Sequence, residues 1–151
     1  IKIYVGSSTC NLLVDQEQNL DTIFSNGSRL IAVHSETESM VQENARKYEH
    51  STDVKDHLNV RTTEAAITCT RDLVELAIKH KRRLHICHLT TQEEAEFLAE
   101  ICPKYSFITT EVSPQHLFLA APGCYDRLKT FAQINPPIRA ERHLIHLDYL
   151  V

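Results

Sequence analysis

Hydrophobic and polar positions along the chain alternate between short apolar runs and longer segments with a helical repeat. The apolar runs predict β-strands over residues 1–6, 30–34, 84–88 and 107–113. Helical spacing follows the first three runs and is clearest over 63–80, where apolar residues recur every three or four positions. This order predicts an α/β fold with a parallel sheet of about four βα units. The pattern alone allows either an open doubly wound sheet or a barrel.

Local sequence signals predict where two of the helices begin. Ser35 with Glu38, and Thr91 with Glu94, have the spacing of a capping box, in which the first side chain accepts a hydrogen bond from the helix N-terminus. Residues 114–134 show no clean repeat, so we expect an irregular segment there.

Composition indicates one globular unit. The chain has 151 residues, of which 42% are hydrophobic, and a net charge of −4 from interspersed acidic and basic residues. No basic stripe suggests nucleic acid, and no apolar run is long enough to span a membrane or to form a leader. We therefore expect a cytoplasmic protein. Five scattered cysteines without a Cys-x-x-Cys pair argue against a disulfide framework and a thiolate zinc site.

Three predicted strands contain or end with a side chain that a buried parallel strand would not normally carry. These are Lys2, His34 and His88. Ligands bind at the carboxyl ends of the strands in α/β folds, so the three residues are candidates for a site. Strand alternation separates His88 from His85, and we expect only His88 to face that site while His85 faces a packing helix.

Five sequence blocks resemble those of one enzyme family. The blocks "IKIYVGSSTCNLLVD", "IAVHSETE", "HICHLTTQEEAEFL", "TTEVSPQHLFL" and "INPPIRAERHL" are similar, in this order, to successive blocks of dihydroorotase, a cyclic amidohydrolase. The resemblance implies a partial (β/α)₈ TIM barrel of the metal-dependent amidohydrolase type. It also implies that residues 1–151 are an internal fragment of a single barrel domain, which lacks the first strands and the last strand.

The resemblance further implies a binuclear zinc centre and assigns residues to it. Lys2 matches a lysine whose carboxylated side chain bridges two zinc ions, and His34 and His88 match two histidines that bind the second ion. Asn135, in the Asn-Pro-Pro-Ile-Arg block, matches a residue that contacts the small-molecule substrate.

Two expected parts of the family site do not match any residue of this chain. No His-x-His pair occurs in the 151 residues, so the pair that binds the first metal is expected before Ile1. The proton-shuttling aspartate is expected beyond Val151, and no catalytic residue is assigned within the chain. We expect the isolated chain to be inactive. Glu111 is expected either to support a metal ligand or to make a structural hydrogen bond, and His116 to cap a turn rather than to flank the pocket.

Three functions agree with these observations. The first is dihydroorotase, the reversible zinc-dependent hydrolysis of (S)-dihydroorotate to N-carbamoyl-L-aspartate in pyrimidine biosynthesis, which the Asn-Pro-Pro-Ile-Arg block favours. The second is a related allantoinase or hydantoinase, and the third is a non-catalytic dihydroorotase-like subunit. A His-x-His pair upstream would favour the enzymes. Partners other than the substrate would be a second copy of the protein or the remainder of the barrel.

Overall fold

A parallel sheet of four strands forms the centre of the structure. The computed structural model describes residues 1–7 and 12–147. All adjacent strands pair in parallel, and their order in the sheet is their order in the chain. The strands are β1 (Lys2–Tyr4), β2 (Ile31–His34), β3 (Leu84–Ile86) and β4 (Ile108–Thr110).

Helices connect the strands, as the sequence predicts. The segment 114–134, predicted to be irregular, instead contains two short helices and a 3₁₀-helix, each too short to show a helical repeat. The helices are α1 (Glu17–Ser25), α2 (Glu38–Lys47), α3 (His57–Val60), α4 (Thr63–His80), α5 (Gln92–Ile101), α6 (Pro114–Phe118), α7 (Gly123–Leu128) and α8 (Glu141–Leu147), with 3₁₀-helices at Val54–Asp56 and Lys129–Ala132. None of the described helices is long and apolar enough to cross a bilayer.

The main core lies between one face of the sheet and the helices α1, α4 and α5. Leu84 and Ile86 of β3 are fully buried there, and the predicted apolar stripe of α4 is buried against them. The other face of the sheet carries Lys2, Ala32 and His85, which the strand register aligns side by side. Because the helices cover one face, the polar side chains of Lys2 and His85 share the opposite one.

Strand alternation was the reason for predicting that His88 faces the site and His85 faces a helix, and that reasoning is wrong. His85 lies on the sheet face away from the helices, in register with Ala32 and Thr109, and its Nδ1 is 2.9 Å from the Thr109 hydroxyl. His88 lies beyond the end of β3, and its φ of 42° turns the backbone out of the strand repeat. The alternation rule therefore stops applying before His88 is reached.

Of the two predicted N-caps, Thr91 caps its helix and Ser35 does not. Thr91 is the N-cap of α5, and its hydroxyl accepts a hydrogen bond from the Glu94 amide at 3.1 Å. In α2 the N-cap is Thr37, with no side-chain cap, and the Ser35 hydroxyl instead pairs with Thr70 at 2.8 Å. The α2 prediction is wrong because Ser35 is buried against α4.

Candidate metal centre

His34 and His88 meet at the carboxyl ends of neighbouring strands. His34 is the last residue of β2 and is only 1% exposed. Its Nδ1 lies 3.3 Å from Nε2 of His88, and the two rings are tilted by 68° with centroids 5.0 Å apart. The structure thus brings together two of the predicted zinc ligands, which are 54 residues apart in the chain.

The geometry of this pair fits a shared zinc ion. Two nitrogen ligands at about 2.0–2.1 Å from a tetrahedral zinc ion lie about 3.3–3.4 Å from each other. Burial, with the charges of His34 and Lys2, lowers the pKa of His88 to about 3, so its imidazole is neutral at pH 7, as a zinc ligand must be. In the described part of the chain, the buried Nδ1 of His88 has no hydrogen-bond partner. The same distance also fits a hydrogen bond between neutral imidazoles.

Lys2 lies on the same side of the sheet as the histidine pair. Its Nζ is 5.2 Å from the centre of the Tyr4 ring, and that ring is 6.1 Å from the ring of His34. The positive charge of Lys2 is one of the causes that lower the pKa of His88. The three predicted metal ligands therefore lie near one another on one side of the sheet. Their roles as ligands stay predictions.

A buried ion pair that was not predicted from the sequence lies behind His34. The His34 Nε2 is 2.7 Å from Oε2 of Glu36, and the Arg61 guanidinium donates to the same oxygen. Burial alone would raise the pKa of Glu36, but His34, Arg61 and Arg139 together hold it below its ordinary value. The one available signal was the His-x-Glu spacing within "HSETE". Arg61 is 25 residues away and had no such signal.

Arg139 connects the Asn-Pro-Pro-Ile-Arg block to this ion pair. Its Nε donates to the Thr90 hydroxyl at 3.2 Å, and its terminal nitrogens donate to the carbonyls of Arg61 and Thr62. Arg139 is buried, and burial lowers its pKa. A loop that follows the last described strand is thus tied to the start of α4 and to the segment after β3.

Two histidines hold the loop that contains Asn135. Nε2 of His57 lies 2.8 Å from the Ile134 carbonyl, and Nε2 of His116 lies 3.1 Å from the Pro136 carbonyl. Burial lowers the pKa of both rings, that of His116 to about 4, so each is neutral at pH 7 and donates through Nε2–H. The Asn135 Oδ1 is buried and forms no hydrogen bond with any described residue. A substrate contact by Asn135 stays a prediction.

A second group of metal-capable side chains lies near the strand ends. His85, Cys87 and Glu111 each offer one ligand atom, and these atoms lie within 4.8 Å of one another. The His85 Nε2 is 3.4 Å from Glu111 Oε2. The sequence did not predict this group, because strand alternation put His85 on the face away from the expected site and the scattered cysteines have no metal-binding spacing.

Comparison with curated proteins finds several relatives that are named dihydroorotase. The chain is 30% identical over 152 residues to a dihydroorotase from Methanosarcina acetivorans, with 95% of this chain and 32% of the relative covered. It is 28% identical over 120 residues to a dihydroorotase from Methanothermobacter thermautotrophicus, with coverages of 80% and 27%. No family model matches the chain. The resemblance to dihydroorotase is confirmed, and the chain spans about a third of the length of these relatives.

Comparison with solved structures confirms the fold class. The chain superposes on an L-hydantoinase (dihydropyrimidinase) from Arthrobacter aurescens with a TM-score of 0.88, at 18% identity, over 97% of this chain and 34% of that chain. A dihydropyrimidinase from Brevibacillus agri gives 0.85 at 19% identity, over 95% and 32%. The four βα units therefore have the fold of a partial (β/α)₈ barrel.

Proposed function

We propose that this chain is part of a dihydroorotase, a zinc-dependent enzyme that reversibly hydrolyses the cyclic amide of (S)-dihydroorotate to N-carbamoyl-L-aspartate. The observation that carries the proposal is the His34–His88 pair, with imidazole nitrogens 3.3 Å apart at the carboxyl ends of adjacent parallel strands. The names of the relatives at 28–30% identity support this substrate. The proposal places the enzyme in pyrimidine biosynthesis in the cytoplasm.

Three residues of this chain would hold metal. His34 would bind through Nδ1 and His88 through Nε2, the two atoms that face each other. An unmodified lysine is a cation at neutral pH and would repel a metal ion, so Lys2 would take part as a carbamate. When bound, two zinc ions would supply a nucleophile at neutral pH and polarise the amide carbonyl.

Asn135 would orient the substrate. Its side-chain oxygen is buried without a protein partner among the described residues, although a buried acceptor normally has one. A cyclic amide offers ring N–H groups that could fill this position. The donations from His57 and His116 to the flanking carbonyls would fix Asn135 before substrate binds, which reduces the ordering that binding requires.

The proposal includes association with the remainder of a barrel. In the described sheet, β1 and β4 each have one neighbouring strand, so each leaves one edge available for pairing. A second copy of the protein remains a further proposed partner.

A hydantoinase is the second candidate function. The observation that favours it is the superposition on hydantoinases, with TM-scores of 0.82–0.88. Hydantoins and dihydroorotate share a cyclic amide, and the same metal ligands would serve both substrates.

Substrate assays on the complete protein test the proposal. We expect zinc-dependent ring opening of dihydroorotate, with little turnover of hydantoin or allantoin, after reconstitution with zinc and bicarbonate. His34→Ala should lose zinc and most of the turnover, whereas a control at the exposed His50, His50→Ala, should lose neither. Preference for hydantoin would support the second candidate. Absence of both zinc binding and turnover would support a non-catalytic subunit.

A further inference from the structure

We propose that Glu36 is a positioning residue, which fixes the orientation and the protonated nitrogen of His34 so that Nδ1 presents its lone pair toward His88. This inference rests on the proposed function, because it gives His34 a metal to bind. Glu36 is completely buried, and its Oε2 lies 2.7 Å from Nε2 of His34.

The ionised carboxylate of Glu36 determines which ring nitrogen of His34 carries the proton. An ionised carboxylate can only accept hydrogen bonds, so the shared proton must be carried by Nε2 of His34. In a neutral imidazole the other nitrogen then has a free lone pair, and in His34 that nitrogen is the one 3.3 Å from His88. A carboxylate behind a metal-binding histidine also increases the basicity of the ligand.

Glu36 is itself fixed from two sides. The Arg61 guanidinium donates to Oε2 of Glu36 and to the Ser7 carbonyl, which holds the carboxylate against the end of β1. Gly6 packs directly on Glu36, since a Cβ at Gly6 would lie 2.7 Å from the Glu36 Cβ. Neither the carboxylate nor the imidazole can turn away without breaking these contacts.

A purely structural role for Glu36 is the alternative explanation. Glu36 and Arg61 form a buried ion pair, and such pairs occur without any role in a site. That role requires the charge of Glu36 to balance Arg61, but it does not require a particular tautomer of His34. The tautomer therefore distinguishes the two explanations.

Nitrogen-15 NMR of histidine-labelled, metal-free complete protein measures that tautomer. We expect His34 to carry its proton on Nε2 in the native protein. In Glu36→Gln the acceptor of the Nε2–H group loses its negative charge, and we expect a measurable fraction of His34 to move its proton to Nδ1. The matched control is Glu94→Gln, because Glu94 is also buried but bonds Thr70 and Thr91 instead. An unchanged His34 tautomer in Glu36→Gln would overturn the inference.

Zinc affinity, measured by competition with a chelator, provides the second measurement. Glu36→Gln should weaken zinc binding about 10–100-fold, the range found when an outer partner of a metal ligand is removed, and Glu94→Gln should leave it unchanged. If native protein binds no zinc, the proposed function fails. If native protein and Glu36→Gln bind zinc equally, the role of Glu36 fails while the proposed function stands.

A third comparison keeps the inference testable if Glu36→Gln does not fold. Glu36→Gln leaves Arg61 buried without its anion, which could unfold the protein. The double variant Glu36→Gln/Arg61→Gln removes both charges, and Arg61→Gln alone keeps the carboxylate next to His34. We expect the native tautomer in the single Arg61 variant and a shifted tautomer in the double variant. The same tautomer in both would overturn the inference.

Discussion

The two halves of the candidate site are held in different ways. At the strand ends, His34 is fixed by an ionised carboxylate, which is in turn fixed by the Arg61 guanidinium. In the loop around Asn135, the neutral rings of His57 and His116 donate to backbone carbonyls. A group that binds a cation benefits from nearby negative charge, whereas a group that orients a neutral ring needs only a fixed backbone. The half at the strand ends should therefore be more sensitive to removal of a charged side chain. The half in the loop should be more sensitive to protonation of its histidines.

The largest expected effect distinguishes the two histidines of "HICH". His88→Ala should remove the second imidazole of the pair and most of the zinc and turnover, because Nε2 of His88 faces His34. His85→Ala should keep zinc at that pair and mainly lower stability, by about 1 kcal/mol for its hydrogen bond to Thr109. Metal analysis and turnover of both variants check this prediction. Equal zinc loss in the two variants would contradict it.

Removal of the cation behind His34 should be the largest effect on stability. Arg61→Gln leaves Glu36 with less compensation in a fully buried position, and we expect the free energy of unfolding to fall by about 3–5 kcal/mol. Urea unfolding measures the change. The double variant Glu36→Gln/Arg61→Gln is the control and should lose less. A larger loss in the double variant would show that the charge pair is not what stabilises this half.

The free energy of unfolding should vary with pH because of His116 in the loop half of the site. Its folded pKa of about 4 lies below the ordinary value of 6.5, so an unfolded chain binds the proton more readily. The stabilising contribution is complete above about pH 6.5 and is lost as the pH falls toward 4, by roughly 2 kcal/mol between pH 7 and pH 5. His116→Gln should flatten the curve of unfolding free energy against pH in this range. His50→Gln is the control, and an equal flattening there would refute the assignment.

The smallest expected effect concerns the packing under the loop. Ile138 is buried in a second, smaller core with Tyr125 and Ala132. Ile138→Val removes one methylene there and should cost about 0.5–1.5 kcal/mol without changing zinc content. Thermal unfolding and metal analysis check both parts. Loss of zinc in this variant would show that the two halves are coupled through the core.

Sequence periodicity was sufficient to predict the strands and α4, because each depends on a repeat of apolar residues within one segment. The approach of His88 to His34 depends on a backbone turn with φ of 42°, which strand alternation does not predict. The Glu36–Arg61 pair joins residues on different segments, and one sequence contains no signal for that pairing. Helix α7 and the 3₁₀-helix after it are stabilised by contacts in a second core rather than by a repeat of their own.

The separation of His34 and His88 along the chain has a consequence for how the protein folds. Contacts between β3 and β4, such as His85 with Thr109, close a segment of 24 residues, whereas the histidine pair closes one of 54. Longer closures cost more entropy and form more slowly. We expect the two imidazoles to meet late in folding, so that an emerging or partly folded chain would not capture zinc at this pair.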